Sequence, residues 1–382
     1  MNIYIKLEVE SRELLSRTML GMYAASKGHD VYLGDDELLK YVQKNKLNPG
    51  IILEKSITPA ESRIKQLFDY KRNNSVVTSI DEEGGILKDN LDVFLNGRFS
   101  ERTISLTDKI FCWGEFDYNS LKKKFPKYSK KFIKTGNPRV NLWSKKFNKL
   151  FYMKDIKKKK YILISSNFRI GTTSKRLSDN FGARLKNNYY KKKENKNDYY
   201  KIATFKLGLF FKFVSAVDYL TEKFPKLNFM IRPHPSESSK NWKKFFTPKK
   251  NLQISEKFSH SEWIENSDII IHNGCTGGLE AFARGKKIIS YKPINTYTGM
   301  DFSNNFGHEI NNEVQLGNLI KKIYNSKKIK KVNKKYKNQF IHRLGNVDKE
   351  NFAKNILNEW EKFDNQFLSK KNNFIFIKFI NK

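Results

Sequence analysis

Four groups of residues have the types and spacing needed to bind or process a phosphorylated ligand. The stretch NSDIIIHNGCTGGLEAFARGKKIISY, Asn266 to Tyr291, reads as a buried strand, a polar glycine-rich turn, a helix from Leu279 and a second strand. In an open α/β sheet such a turn lies at the carboxyl end of a strand, where ligands bind. The backbone N–H groups of Thr276 to Leu279 are then expected to be open at a helix N-terminus, which favours a phosphate or carboxylate. The candidate contacts are His272, Asn273, Gly274, Thr276, Gly277 and Gly278. Glu280, in the first helical turn, either accepts from ribose hydroxyls or complements the helix dipole.

The second group is RPHPSES, Arg232 to Ser238. Pro233 and Pro235 stiffen the backbone on both sides of His234. Arg232 and His234 together suit a phosphate through charge-assisted hydrogen bonds. The third is SSN, where Ser165, Ser166 and Asn167 end a strand and either line a phosphate or sugar or cap a helix. The fourth is IDEEGG, in which Asp81, Glu82 or Glu83 could serve as a general base beside an acceptor hydroxyl, the alternative being an acidic surface turn. No P-loop, GxGxxG, HExxH or GxSxG motif occurs, and the 6 histidines lack ligand spacing, so no metal site is expected.

Strands and helices alternate around these groups, which predicts mostly parallel sheets with helices on both faces. Strands are expected at 2–9, 29–35, 50–56, 75–85 and around 109–116, with helices at 11–28 and 61–73. A Lys-rich stretch at 146–160 reads as a linker, and YILISSNF opens a second set of elements. Residues 167–201 read as a long basic loop, followed by a helix over about 205–224. The resulting division is a Rossmann-like acceptor-side domain at 1–145, the linker at 146–160 and a Rossmann-like nucleotide-binding domain at 161–325. C-terminal helices at 326–366 and a basic aromatic tail at 367–382 follow. Two doubly wound α/β domains facing a cleft, with helices after the second, is the GT-B-like architecture.

At 382 residues the chain exceeds one ordinary core, and 38% hydrophobic content supports folded domains. The net charge of +35 points either to an acidic partner or to a compositional bias carried on solvated faces. No aromatic–glycine signature of an RNA-binding module accompanies the basic clusters, so nucleic acid ranks below an anionic membrane surface and a phosphorylated or carboxylated substrate as the acidic partner. Cys112 and Cys275 are too far apart in sequence for a disulfide framework or zinc ribbon and suit a reducing cytoplasm. A cytoplasmic protein is expected, with peripheral contact to anionic lipid at the inner face of the plasma membrane.

Taken in order, DEEGG, WGEFD, TGNPRVNLW, RPHPSES and HNGCTGGLEAFARGKKIISY resemble the bacterial surface carbohydrate (lipopolysaccharide or capsule) biosynthesis proteins, from about residue 2 to about residue 295. The resemblance implies a GT-B-like fold related to glycosyltransferases and to UDP-sugar 2-epimerases. A wider similarity links the chain to GT-B sialyltransferases and capsule Kdo transferases, which share an acidic–acidic–Gly base, a His-Pro contact to the CMP phosphate and a Ser-rich turn on the same phosphate. Here the matching residues are Glu82 or Glu83 before Gly84, His234 with Pro235, and Thr276 in place of serine. The implied reaction transfers a sugar from a nucleotide sugar, such as a CMP-activated 2-keto sugar acid, to a glycan or lipid-linked acceptor. Neither a cofactor nor a metal is implied. An epimerase-like enzyme and a non-catalytic binding protein of the polysaccharide assembly machinery are the alternatives.

Overall fold

A computed structural model describes residues 1–37, 41, 49–84, 91–153, 160–168, 193–294, 302–325, 334–363 and 375–377. The chain divides into two compact units, Met1–Lys146 with Lys337–Lys382, and Phe147–Tyr336.

The first unit is built on β1 (Asn2–Lys6), β2 (Asp30–Gly34), β3 (Gly50–Glu54), β4 (Val76–Ile80), β5 (Lys109–Cys112) and β6 (Phe132–Lys134). Every position of β1, β3 and β4 is buried, the continuous pattern of parallel strands covered on both faces. All pairings are parallel, in the order β2-β1-β3-β4-β5-β6, with a further strand Ile375–Ile377 on the free edge of β2. The tail therefore contributes an edge strand, and its remaining residues lie outside the described ones. Tyr4, Ile52, Leu67, Tyr70, Ile104 and Phe132 are among the side chains that fill one layer of the core.

Residues beyond the second unit return to the first. Helix Phe352–Glu361 buries Phe352, Ile356, Leu357 and Trp360, and Trp360 Nε1 donates to Thr78 Oγ1 on β4 at 3.1 Å. Phe352 explains two glycines. A Cβ on Gly136 would lie 2.2 Å from its ring and one on Gly345 2.7 Å away, and both glycines have positive φ. Gly114 is similarly tight, since a Cβ there would meet the Arg343 carbonyl oxygen at 2.5 Å. The glycines of WGEFD and TGNPRV are thus seats for the C-terminal helices. Asn141 completes the docking by donating to the Glu350 carbonyl at 2.9 Å and accepting the Phe352 N–H at 2.7 Å.

The second unit holds β7 (Tyr161–Ser165), β8 (Asn228–Arg232), β9 (Leu252–Ile254), β10 (Ile269–His272), β11 (Lys287–Tyr291) and β12 (His308–Ile310). Its parallel order is β9-β8-β7-β10-β11-β12, the Rossmann arrangement, in which the chain reverses direction across the sheet between β7 and β10. Helix Lys193–Lys223 lays Leu209, Phe213, Ala216, Val217 and Leu220 against the sheet at helical spacing. It begins a dozen residues before the expected start, inside the stretch read as a basic loop, because its N-terminal turns lack the apolar periodicity that marks the rest. The stretch read as a linker contains a 3₁₀ helix, Lys145–Phe151, whose Phe151 is buried. Helix Glu313–Asn325 packs Leu316, Ile320 and Ile323 into the second unit's core. Among the described residues no helix is long and apolar enough to cross a membrane.

Phe352→Ala should lower the unfolding free energy of the first unit by about 3–5 kcal/mol. Urea denaturation checks this, and a loss below about 1 kcal/mol would show that the C-terminal helix does not support that core.

Candidate functional site

The carboxyl ends of β7, β8 and β10 are laced together by two adjacent serines. Successive side chains of a strand point to opposite sides, so Ser165 and Ser166 face different neighbours. Ser165 Oγ lies 2.8 Å from His260 Nε2 and 3.4 Å from Cys275 Sγ, joining β7 to the turn after β10. Ser166 Oγ accepts the His234 backbone N–H at 2.9 Å and donates to Glu237 Oε2 at 2.6 Å, joining β7 to the RPHPSES loop after β8.

Glu237 anchors that loop. Its buried carboxylate also accepts from the Phe168 N–H at 2.7 Å and from Trp242 Nε1 at 2.9 Å. His234 is partly exposed, and its Nδ1 accepts the Ser236 N–H at 3.1 Å and lies 2.8 Å from Ser236 Oγ. A neutral ring therefore carries its proton on Nε2. Pro235 stands exposed beside it. Arg232 is buried and directed into backbone carbonyls: Nε donates to Phe258 O at 3.1 Å and Nη1 to Pro233 O. Desolvation lowers the pKa of its guanidinium. The Asn167 carbonyl accepts from Lys206 Nζ at 2.8 Å.

The turn after β10 departs from an open anion cradle in detail. Helix Thr276–Ala283 starts three residues earlier than expected, with Cys275 at its N-cap. The Gly278 N–H already bonds to the Cys275 carbonyl at 3.1 Å, so the set of open donors is smaller than Thr276 to Leu279. Burial pushes the Cys275 thiol up, while Ser165 and the Gly278 and Gly277 N–H groups oppose that shift. Gly274 has a φ of 57° and donates its N–H to Asn304 Oδ1 at 2.8 Å. Asn273 Nδ2 donates to the Tyr291 carbonyl at 2.7 Å, fixing the turn to β11.

Two imidazoles account for the glycine pair. A Cβ on Gly277 would lie 2.2 Å from His260 Cε1, and one on Gly278 2.3 Å from His272 Cε1. His272 is fully buried, with Nε2 3.4 Å from Ser290 Oγ. Desolvation drives its pKa down to about 4, so it is neutral at physiological pH and forms a floor beneath the helix start. Glu280 is also buried, its Oε1 3.0 Å from both Nε and Nη2 of Arg284. Arg284 continues to Glu265 Oε2 at 3.3 Å and covers the Phe151 ring.

Sequence reading missed His260 and Glu237. Ser259 and Glu262 form a capping box, with Ser259 N donating to Glu262 Oε2 at 2.8 Å, and this fixes His260 at the first helical position. The S-x-x-E spelling marked the helix start, but nothing local marked the ring as packed on Gly277.

In the first unit the DEEGG turn separates its three carboxylates. Asp81 forms a bidentate pair with Arg98, at 2.7 and 2.8 Å, and its Oδ1 accepts the Glu83 N–H at 2.8 Å. Trp113 Nε1 donates to the Asp81 carbonyl at 2.7 Å, and Gly84 lies against the same indole. Glu82 turns inward, with its Oε1 accepting from Arg17 Nη2 at 2.6 Å. Glu83 is half exposed, 3.9 Å from Arg98. Gly85 lies outside the described residues.

Several solved structures share this fold. The co-structure of S. aureus MnaA with UDP is 13% identical, with 97% of this chain and 98% of that chain covered and a TM-score of 0.57. UDP-GlcNAc 2-epimerase from Neisseria meningitidis bound to UDP-GlcNAc is 14% identical, over 95% of this chain and 100% of that chain, with a TM-score of 0.53. The wall teichoic acid polymerase TagF, as its H548A variant, is 12% identical over 97% and 90% of the respective chains, with a TM-score of 0.59. No family model matches the sequence, and no curated protein does. The chain thus has a GT-B-like α/β fold of two Rossmann-like units with C-terminal helices.

Gly277→Ala should destabilise the second unit by about 1–3 kcal/mol through the His260 clash. His260→Ala in the same chain should recover at least half of that loss in urea denaturation, and equal costs with and without His260 would contradict the packing role.

Proposed function

We propose that the chain is a nucleotide-sugar-dependent enzyme of bacterial surface glycan assembly, and within that class a glycosyltransferase. The observation that carries this is the convergence of Ser165, His260, Cys275 and the fixed His234 loop at the β7/β10 reversal, where an open parallel sheet binds nucleotides. The UDP and UDP-GlcNAc in the structures of similar fold favour a uridine nucleotide over a cytidine one.

Each residue then has a role. His234 directs Nε2–H at the phosphate that leaves with the nucleotide, and Thr276 with the helix N-terminus adds fixed dipoles to the same charge. Ser166 and Glu237 hold His234 in place through its backbone. Glu82 is the general base, since Asp81 is closed by Arg98 and Glu83 is half exposed. These protein donors stabilise the departing nucleotide without a metal, so turnover should persist in EDTA. An acceptor glycan or lipid-linked glycan receives the sugar.

A second reading, a sugar-nucleotide 2-epimerase, is favoured by the end-to-end likeness to structures of such epimerases. The two differ at one bond. Epimerisation at C2 exchanges that hydrogen with solvent and needs no acceptor, whereas transfer leaves the C2–H bond intact.

Incubating UDP-GlcNAc with the protein alone in D₂O and reading the C2 proton by NMR separates them. A transferase predicts no deuterium incorporation and UDP release that rises with a glycan acceptor; deuterium at C2 without acceptor establishes the epimerase instead. His234→Ala should lower UDP release about 100-fold or more, as removal of one oxyanion-type donor does, and unchanged release would sink the phosphate role.

A further inference from the structure

The first unit carries a groove that the proposed reaction does not use. Helix Leu91–Arg98 and helix Glu115–Lys124 flank it, and His342, near the end of helix Lys334–Leu344, completes the lining. Its volume of about 630 Å³ falls within the roughly 300–1,000 Å³ of sites that hold small ligands. The lining follows helical spacing, with Leu91 and Leu95 on one helix and Phe116, Asn119, Ser120 and Lys123 on the other. Leu91, Leu95 and Phe116 give it an apolar floor, and Asn119, Ser120, Lys123 and His342 give it a polar rim.

The charges of that rim do not cancel. Asp92 is the one carboxylate in the lining among the described residues, and its Oδ1 is paired with Lys124 Nζ at 2.7 Å. Glu115, at the start of the second helix, is held by Lys134 Nζ at 2.6 Å. Lys123, exposed at the rim, has neither an ion pair nor a hydrogen bond among the described residues. The Arg343 guanidinium lies 3.6 Å from the centre of the Phe116 ring, which adds positive charge at the aromatic end. The sequence holds no Asp or Glu between Asp117 and Asp155. Helix Glu115–Lys124 is followed at once by the 3₁₀ helix Pro126–Lys131, where Lys127 and Lys130 are exposed and Lys127 Nζ lies 5.6 Å from the centre of the Tyr128 ring. The surface continuing from the groove is therefore basic and aromatic.

This chemistry selects the ligand. A cation is opposed by Lys123 and finds Asp92 already paired. Inorganic phosphate would meet Lys123 and leave the apolar floor in water, whereas a neutral lipid would cover the floor and leave the ammonium unmatched. An acyl chain carrying a phosphate satisfies both, since it buries apolar surface worth about 25 cal/mol per Å² and accepts a charge-assisted hydrogen bond from Lys123. The basic aromatic surface beside the groove matches the headgroups of neighbouring anionic lipids, which favours a phospholipid over a free fatty acid. We propose that the groove is a binding site for an anionic phospholipid, with acyl chain along Leu91, Leu95 and Phe116 and phosphate at Lys123. The site goes beyond the proposed reaction: no residue assigned to the nucleotide or to the general base lines it, and it stands equally for a transferase and an epimerase.

The experiment is calorimetric titration of the full chain with monomeric dihexanoyl phosphatidate and, separately, with dihexanoyl phosphatidylcholine, decanoate and inorganic phosphate. Phosphatidate should bind saturably and at least about fivefold more tightly than the other three. Lys123→Glu, at an exposed position, and Leu91→Gln, which makes the floor polar, should each weaken phosphatidate at least about fivefold. Lys226→Glu, the same charge change at an exposed position of the second unit, should leave it unchanged. Absence of phosphatidate binding, equal or tighter binding of phosphatidylcholine, decanoate or phosphate, undiminished binding in Lys123→Glu or Leu91→Gln, or an equal loss in Lys226→Glu each overturns the site. Failure of UDP to bind leaves this result untouched and counts against the nucleotide reading alone.

Discussion

The hydroxyls of Ser165 and Ser166 are the constraint on which the second unit's site depends. Three loops leave the sheet at β7, β8 and β10, and loops by themselves do not hold side chains to fractions of an ångström. The two serines, pointing to opposite sides of one strand end, tie the β8 loop on one side and the β10 turn on the other. Glu237 makes the tie stiff, because its buried carboxylate accepts from Ser166, Phe168 and Trp242 at once. His234 inherits this rigidity through its own backbone N–H, and two prolines remove much of what freedom remains. The imidazole of the proposed mechanism is therefore placed through its backbone by Ser166 and Glu237.

The first unit solves a different problem. The chain returns after residue 336 to pack against this unit. Phe352 is seated on Gly136 and Gly345, and Trp360 is bonded to Thr78 on β4, the strand that leads into Glu82. The closed Arg98–Asp81 pair then fixes the turn, which leaves Glu82 directed inward onto Arg17.

The sequence made the strands legible because buried parallel strands are continuous apolar runs, and YILIS, NFMIR and IIIH end where polar residues begin. The class of fold and the positions of SSN, RPHP and the GCTGG turn at strand ends followed from that alternation. What stayed hidden depends on contacts distant in sequence. The glycine pair reads locally as an anion turn, yet its close neighbours are two histidine rings, one of them His260, seventeen residues before Gly277. Glu280 reads as a ribose contact or a complement to the helix dipole, and the structure gives its Oε1 to Arg284, four residues on. WGEFD and TGNP read only as motifs of the resemblance, and their glycines make room for two C-terminal helices more than two hundred residues away. Pairings of that separation leave no periodicity to detect.

The central claim is that the β7/β10 reversal binds the nucleotide of a sugar nucleotide, and calorimetric titration of the full chain with UDP, CMP and GDP tests it most directly. Saturable binding of UDP in preference to the other two, weakened at least tenfold in Ser166→Ala and His234→Ala with the fold intact, is the predicted result. Absence of binding by all three nucleotides, or UDP binding equally tight in both variants, would contradict it.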